Sequence, residues 1–279
     1  MESKVYILLP VYNRKKITAG FISFLKKQSY TNYHLVLIDD GSTDGTADMV
    51  KSELQNLTII TGKGNWWWGG ALHQGYKWIK KNVTDTTGFV LIINDDTEFE
   101  SDFIENGIKT LQAEPGSIIQ AEPYGKKSGK ALKKGFEYNY KTLAFTPSYD
   151  SEKINCLTTR GLLMTYASFI EIGGFYPRLL PHYLSDMEYT IRAHNKGLKL
   201  ITHPDFKLTM MEDETGYSEI NEKKFFVFLK KHYAFKNMMN PVHWIVFVFL
   251  ACPFPYNFKN LRLVLKREYY LLREQWKKK

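Results

Sequence analysis

Residues 33–44 read YHLVLIDDGSTD, an apolar run that ends in two adjacent carboxylates and a turn. A continuous apolar run of this length is typical of a parallel strand that is buried on both faces. Residues 39–42, Asp-Asp-Gly-Ser, have the composition of a tight turn. The stretch therefore predicts a buried strand whose carboxyl end presents acidic side chains.

The segments on either side repeat this alternation of strand and helix. Apolar runs predict further strands, and recurrence at i, i+4 and i+7 predicts helices between them. The predicted strands cover residues 5–9, 57–61 and 89–93, and the predicted helices lie near residues 17–25, 47–54 and 70–81. This order predicts an α/β fold, an open and mostly parallel doubly wound sheet flanked by helices.

Acidic side chains follow a second strand of the predicted sheet. Asp95 and Asp96 come directly after the apolar residues 89–93. Strand side chains alternate, so the two carboxylates project in different directions. Hard cations such as Mg²⁺ prefer carboxylate oxygens and leave room for substrate phosphates. A ligand site beyond the strand ends and an ordinary Asx turn both explain the pair.

Three tryptophans precede two glycines at residues 65–70, Asn-Trp-Trp-Trp-Gly-Gly. The glycines predict a tight turn at which the backbone approaches a ligand closely. Indole rings stack well on sugars and bases, and they also pack in cores. A binding role and a packing role are both open for these rings.

Ser185-Asp186-Met187-Glu188 matches the S-x-x-E capping box of a helix N-terminus. Asp186 is then expected at the first helical position, where the helix dipole favours its ionised form. Glu188 and Arg192 have the i, i+4 spacing of an ion pair. An ionised Asp186 can accept a proton from a substrate, and it can equally serve only to stabilise the helix.

Composition and charge exclude several other classes of protein. The net charge of +9 favours acidic partners. The two cysteines, Cys156 and Cys252, have no zinc-site spacing, and the P-loop and dinucleotide-binding glycine motifs are absent from the sequence. The first apolar run is too short for a signal-peptide core, and residues 244–254 are too few to span a bilayer.

The composition changes after residue 222, which predicts a catalytic domain at residues 1–222 and a helical C-terminal appendage at residues 223–279. An apolar stripe runs through a final helix at Leu261, Val264, Leu265, Tyr269, Leu272 and Trp276. Bases accompany it at Lys259, Arg262, Lys266, Arg267, Arg273, Lys277, Lys278 and Lys279. Such a helix either lies in an anionic membrane interface or docks on the catalytic domain or a partner chain.

Five motifs occur together and in order: LPVYN at residues 9–13, IDDGSTD at 38–44, NDD at 94–96, GGF at 173–175 and SDME at 185–188. With this set the chain resembles the inverting glycosyltransferases of family 2, which have the GT-A fold, over about residues 4–210. The resemblance implies transfer of a sugar from a UDP- or dTDP-linked donor to a glycan or lipid-linked glycan. It also implies a place in bacterial cell-surface polysaccharide assembly.

The resemblance implies roles for individual residues. Asp186 matches the catalytic base, and Asp96 matches the carboxylate that binds a divalent metal, Mg²⁺ or Mn²⁺. The implied donor-binding residues are Pro10, Val11, Tyr12, Asn13, Asp40, Ser42, Asn65, Trp66, Trp68 and Asp95. The chain departs from the family pattern at Asn94, the first position of the acidic motif, and at Met210, where relatives often carry a histidine that contacts metal or phosphate.

Two other functions stay open from the sequence. A nucleotidyltransferase would share the nucleotide-binding sheet but release pyrophosphate, and a non-catalytic basic module would bind membrane or nucleic acid. For a glycosyltransferase we expect a nucleotide-sugar donor, a glycan acceptor and no nucleic-acid partner. We expect a cytoplasmic location, either free or attached to the inner face of the membrane, and an oligomer is compatible with the sequence.

Overall fold

A computed structural model of the chain describes residues 3–132, 135–211 and 220–277. Lys278 and Lys279, two bases of the predicted C-terminal segment, lie outside these residues. The strands are β1 Val5–Val11, β2 Tyr33–Asp39, β3 Leu57–Thr61, β4 Phe89–Ile92, β5 Thr97–Glu98, β6 Ser117–Gly125, β7 Gly135–Asn139, β8 Ala144–Ser148, β9 Leu162–Thr165 and β10 Lys199–Met210. The helices are α1 Lys15–Leu25, α2 Thr46–Glu53, α3 Trp67–Asn82, α4 Phe103–Ala113, α5 Tyr166–Ile172, α6 Ser185–Asn195, α7 Phe225–His232, α8 Pro241–Ala251 and α9 Tyr256–Lys277.

The main sheet has eight strands in the order β3-β2-β1-β4-β9-β6-β10-β5. Strands β3, β2, β1 and β4 are parallel to one another, and β6 is parallel to β10. Strand β9 is antiparallel to both β4 and β6, and β5 is antiparallel to β10 at the edge. The predicted mixed α/β architecture with a mostly parallel sheet is confirmed.

Helices cover both faces of this sheet, as the unbroken apolar strands predict. In β1, Ile7 and Leu9 belong to the core that packs under α1 and α4, whereas Leu8 belongs to the core on the side of α3 and α6. A Cβ on Gly75 of α3 would lie 2.8 Å from Ile38 Cδ1, so this glycine allows the helix to approach the sheet. Because side chains alternate along a strand, β1 contributes residues to both cores.

The C-terminal helices pack on the segment that leads into α6. Trp244, Phe247 and Val248 of α8 share a buried cluster with Leu180 and Leu184. The appendage therefore makes extensive contacts with the elements that surround Asp186, and the division at residue 222 stays a prediction.

No helix within residues 3–132, 135–211 and 220–277 is both long enough and apolar enough to cross a membrane.

The buried side of α9 differs from the predicted stripe. Asn260, Val264, Glu268 and Gln275 are its buried residues, and only Val264 belongs to that stripe. The helix therefore docks on the protein mainly through polar side chains, and most of the predicted stripe lies outside its buried side.

Candidate active site

The carboxyl ends of β1, β2 and β4 meet at one edge of the sheet because these strands are parallel neighbours. Asn13 and Ser42 join the loops that follow β1 and β2. The Asn13 backbone N–H donates to Ser42 Oγ over 2.8 Å, and the Thr43 N–H donates to Asn13 Oδ1 over 2.7 Å. Asn13 has a φ of 51°, a left-handed conformation that asparagine tolerates. These bonds fix the two loops at the predicted ligand-binding edge.

The residues just before Asn13 differ in their exposure. Pro10 and Val11 are buried as the last residues of β1, where they pair with Ile38 and Asp39 of β2. The side chain of Tyr12 is 52% exposed. Of these three residues, Tyr12 is the one that offers a ring to a ligand.

Asp40 is buried, and four backbone N–H groups surround its carboxylate. Oδ1 accepts from Gly64 over 3.0 Å and from Asn65 over 3.2 Å. Oδ2 accepts from Trp66 over 2.8 Å and from Trp67 over 3.2 Å. These donors lie at and before the N-terminus of α3, where backbone N–H groups have no partner within the helix. Asp40 therefore organises the loop that precedes α3.

Trp66 and Trp68 are partly buried against the second core. A Cβ on Gly70 would lie 3.2 Å from Trp66 Cβ, so this glycine makes room for Trp66. The Trp68 indole N–H donates to Thr159 Oγ1 over 3.2 Å. Packing, one of the two roles that the sequence left open, thus accounts for much of the surroundings of both rings. Their stacking on a donor stays a prediction.

Trp67 contacts the C-terminal appendage, which the sequence did not indicate. Its φ is 57°, and its ring centroid lies 5.2 Å from Lys236 Nζ and 6.0 Å from the His182 ring. Burial, with the nearby charge of Lys236 and His243, lowers the pKa of His182 to about 4. The ring of Trp67 therefore lies between the start of α3 and two segments that follow α5.

Gly69 approaches protein backbone rather than an open ligand site. Its N–H donates to Pro181 O over 2.8 Å, and a Cβ at this position would lie 2.6 Å from Leu180 O. The sequence interpretation, which expected a ligand next to the glycines, is wrong for Gly69. The absence of a side chain instead allows α3 to pack against the segment that leads into α6.

Helix α6 does not begin with the predicted capping box at Ser185. The Leu184 carbonyl accepts from the Glu188 N–H over 2.9 Å, which makes Leu184 the N-cap, and its φ is 67°. The Ser185 hydroxyl donates to His182 O over 2.6 Å instead of capping the helix. Asp186 is therefore the second helical residue and not the first. Its Oδ1 accepts from the Met187 N–H over 2.9 Å, still within the first turn.

Burial raises the pKa of Asp186 above its ordinary value of 3.8, and the Met187 N–H and the charge of Arg160 oppose this rise. Arg160 Nη1 also lies 3.5 Å from Met210 Sδ at the end of β10. A carboxylate with a raised pKa is a stronger proton acceptor once it is ionised. The setting of Asp186 thus suits a general base.

The predicted pair of Glu188 and Arg192 is confirmed. Arg192 Nε and Nη2 donate to the two carboxylate oxygens over 2.8 and 3.0 Å. Arg192 also donates to Ile172 O over 2.6 Å and to Gly174 O over 3.0 Å. The guanidinium therefore joins α6 to the glycine turn that ends α5.

One arginine bridges both carboxylates of the acidic motif. Arg14 Nε lies 2.9 Å from Asp95 Oδ1, and Arg14 Nη2 lies 3.3 Å from Asp96 Oδ2. Thr18 donates to Asp95 Oδ2 over 2.8 Å. Burial raises the pKa of Asp95, and the charge of Arg14 and the hydrogen bond from Thr18 oppose it. Asp95 is therefore held from two sides, whereas Asp96 is more accessible.

Oxygen donors near Asp96 fit a divalent cation. Asn94 Oδ1 is buried and has no hydrogen-bond partner among the described residues. Met210, which stands where relatives often carry a histidine, pairs with Thr97 and so lies beside the loop that carries Asp96. His203 lies instead near Asp205, with 3.7 Å between His203 Nδ1 and Asp205 Oδ2. No group of three histidine, cysteine or acidic side chains suits a metal within the described part of the chain. One carboxylate and one amide oxygen suit Mg²⁺ or Mn²⁺ when phosphates complete the shell.

Sequence reasoning missed Arg14 and Arg160. Arg14 directly follows the motif at residues 9–13, at the end of the predicted first strand. The predicted parallel sheet brings this strand end to the same edge as Asp95 and Asp96, so a basic residue there could have indicated an ion pair. Arg160 gives no comparable signal, because its position beside Met210 and Asp186 depends on contacts between residues far apart in the sequence. The structure thus adds two cations to the predicted site.

A model of glycosyl transferase family 2 matches residues 6–169, more than half of the chain, and ends before α6. Glycosyltransferase GlyA of Streptococcus pneumoniae serotype 4 is 24% identical over 113 residues, covering 40% of this chain and 15% of GlyA. Glycosyltransferase GlyG of the same strain is 33% identical over 49 residues, covering 18% of this chain and 16% of GlyG. The alignments thus span a small part of these relatives.

Two solved structures resemble the whole fold. The mannosyltransferase PcManGT of Pyrobaculum calidifontis, in complex with GDP-Man and Mn²⁺, has a TM-score of 0.60 at 17% identity, with 95% of this chain and 69% of that chain covered. S. aureus TarS 1–349, in complex with UDP-GlcNAc, has a TM-score of 0.60 at 17% identity, with 96% and 73% covered. At this identity the likeness establishes the fold alone, which is GT-A.

Proposed function

Because the chain belongs to glycosyl transferase family 2, we propose that it is an inverting glycosyltransferase that uses a UDP- or dTDP-linked sugar. The acceptor is a glycan or lipid-linked glycan in bacterial cell-surface polysaccharide assembly. The observation that carries the proposal is the packing of Gly69 against Leu180 and Pro181. This contact joins the loop around Asp40 to the helix that bears Asp186.

Asp186 acts as the general base in this proposal. It accepts the proton of an acceptor hydroxyl while that oxygen attacks the anomeric carbon from the face opposite the leaving diphosphate. The supporting features are its place in the first turn of α6 and its raised pKa. The bridge between Glu188 and Arg192 holds the helix at the glycine turn and so keeps Asp186 in position.

The donor lies along the strand ends. Tyr12 offers an exposed ring for the base, and Asp95 lies at the end of β4 for the ribose or sugar. Asp40 acts through the loop that it organises, because its two oxygens already accept four N–H groups. Asn13 and Ser42 hold the neighbouring loops, and Arg160 is the cation beside Asp186 and Met210.

Asp96 and Asn94 Oδ1 are the groups that would hold the divalent metal. When bound, Mg²⁺ or Mn²⁺ neutralises charge that develops on the departing diphosphate. The two solved relatives support a nucleotide-sugar donor by their contents, GDP-Man with Mn²⁺ in PcManGT and UDP-GlcNAc in TarS. We propose that transfer takes place in the cytoplasm.

Nucleotide binding tests the donor side. The full chain would be unfolded by heat with UDP, dTDP, GDP or CDP, each with and without Mn²⁺. A ligand at about 100 times its Kd adds about 2.7 kcal/mol of apparent stability. We expect UDP or dTDP to give the largest shift, with a Mn²⁺-dependent part that Asp96→Ala removes. Asp205→Ala changes an exposed carboxylate and serves as the control.

Sugar transfer tests the base. Asp186→Asn should retain the nucleotide shift and lose transfer, measured as nucleoside diphosphate released in the presence of acceptor. Wild-type turnover in Asp186→Asn would reject the base assignment. Release of pyrophosphate from a nucleoside triphosphate would instead indicate a nucleotidyltransferase.

A further inference from the structure

The final helix docks on the protein through polar contacts. Glu268 accepts from His232 Nε2 and from the Tyr233 hydroxyl, each over 2.9 Å. Asn260 Nδ2 donates to Tyr140 O, and Gln275 Nε2 donates to the carbonyl of Glu222. These contacts fix which side of α9 faces the protein.

A row of apolar side chains on another side of α9 is left exposed. Leu265 is 51% exposed, Tyr269 62% and Trp276 53%. With Phe258 they stand at i, i+7, i+11 and i+18, so at about 100° per residue they form one line, about 120° around the helix from the buried Val264. We call these four residues the α9 ridge. Phe254, 78% exposed, extends the ridge, with its ring centroid 6.2 Å from that of Phe258.

Positive charge accompanies the ridge. Residues 256–277 contain six basic and two acidic residues, and one of the acidic residues is the buried Glu268. Arg262, Lys266 and Arg273 are exposed, and the same helical geometry places them next to the ridge on the side away from Val264. A partner of this face must therefore accept apolar rings and offer negative charge.

An anionic lipid bilayer meets both requirements. Aromatic and leucine side chains enter the boundary between headgroups and acyl chains, while lysine and arginine contact the negative surface. A second copy of this chain would bring the same bases together, which opposes association. A nucleic acid would satisfy the charges but would not bury the exposed parts of the apolar side chains in an apolar medium.

We propose that the α9 ridge, Phe254 and the neighbouring bases bind the interface of an anionic lipid bilayer, with α9 parallel to its plane. The inference deepens the proposed function and rests on it for one point, that a lipid-linked acceptor is presented at the same surface. Helix α8 packs on Leu180 and Leu184, so the membrane-bound helices are joined to the segment that leads to Asp186.

Vesicle sedimentation of the full chain tests the proposal. The probes are vesicles of phosphatidylcholine and vesicles in which phosphatidylglycerol is mixed with it. We expect binding to the anionic vesicles, weakened by salt, and little binding to the neutral ones. Leu265→Ser with Tyr269→Ser should abolish binding, whereas Tyr149→Ser, at a residue 64% exposed, should not.

The contribution of charge is measured with a second pair of variants. Lys266→Gln with Arg273→Gln should weaken binding about 25-fold, since each base near the surface contributes roughly a fivefold factor. Lys16→Gln with Lys51→Gln removes two exposed bases elsewhere and should have a much smaller effect.

Three results would overturn the proposal. They are the absence of binding to anionic vesicles, equal binding to both vesicle types, and wild-type binding by the Leu265→Ser, Tyr269→Ser protein. Self-association that this double variant removes, without vesicle binding, would assign the ridge to a second copy. Because vesicle binding is measured without donor, Asp186→Asn should bind vesicles normally, and failure of sugar transfer would not affect the result.

Discussion

The carboxylate of Asp40 should contribute strongly to stability, and Asp40→Asn measures the contribution. Each carboxylate oxygen accepts two backbone N–H groups. An amide keeps one oxygen and turns its NH₂ group towards two donors. Hydrogen bonds to charged groups contribute about 1.5–3 kcal/mol each, so the loss of two should lower the free energy of unfolding by at least about 3 kcal/mol. Urea unfolding, with an unchanged m value, is the assay.

Asp39→Asn is the matched control for this prediction. Asp39 is also buried, and its Oδ1 accepts one N–H, from Ser42 over 2.8 Å, a bond that an amide oxygen can retain. We expect Asp39→Asn to have the smaller effect. If Asp40→Asn lowered the free energy of unfolding by less than about 1 kcal/mol, the typical net contribution of one neutral hydrogen bond, the argument that Asp40 organises the loop before α3 would be refuted.

Two further predictions concern Asp186 and the contact that positions it. Because burial raises the pKa of Asp186, its ionised form destabilises the fold as pH rises through 3.8, so Asp186→Asn should increase stability at neutral pH and not at pH 3. Urea unfolding at both pH values checks this, and an equal gain at both would contradict it. Gly69→Ala should destabilise the protein by roughly 1–3 kcal/mol, because its methyl group meets a backbone carbonyl. Gly20→Ala, in an exposed part of α1 with open space around it, should stabilise by about 0.5–1 kcal/mol, and a similar effect of both variants would reject the packing argument.

The alternation of strands and helices could be predicted because its signals are local. The strand at Leu57–Thr61 has the bounds that its apolar run and turns predict. The start of α6 could not be predicted, since Leu184 adopts a left-handed conformation that leucine rarely takes alone. The surroundings of Gly69 depend on Leu180, more than a hundred residues away along the chain. Positions set by such distant contacts leave no periodic signal.

The buried side of the C-terminal helix could not be predicted from the sequence either. Its apolar periodicity was visible, but the side that docks is set by partners of Glu268 at His232 and Tyr233. A helix with one apolar stripe can bury either that stripe or a polar side whose hydrogen bonds are satisfied. The choice depends on the partners, which the sequence of the helix alone does not contain.

Backbone positions with positive φ angles occur in the parts of the candidate site that could not be predicted from the sequence. Among the described residues, positive φ angles outside glycine occur at Asn13, Trp67, Leu143 and Leu184. Three of them lie at the loop after β1, the start of α3 and the start of α6, while Leu143 belongs to the β7–β8 turn. At Trp67 and Leu184, whose residue types do not tolerate this region as asparagine does, such a conformation costs of order 1–3 kcal/mol and persists where surrounding contacts determine it. Asp40, the Leu180–Pro181 backbone and the Ser185–His182 hydrogen bond provide those contacts, so the strain is retained where the donor loops meet the helix of the proposed base.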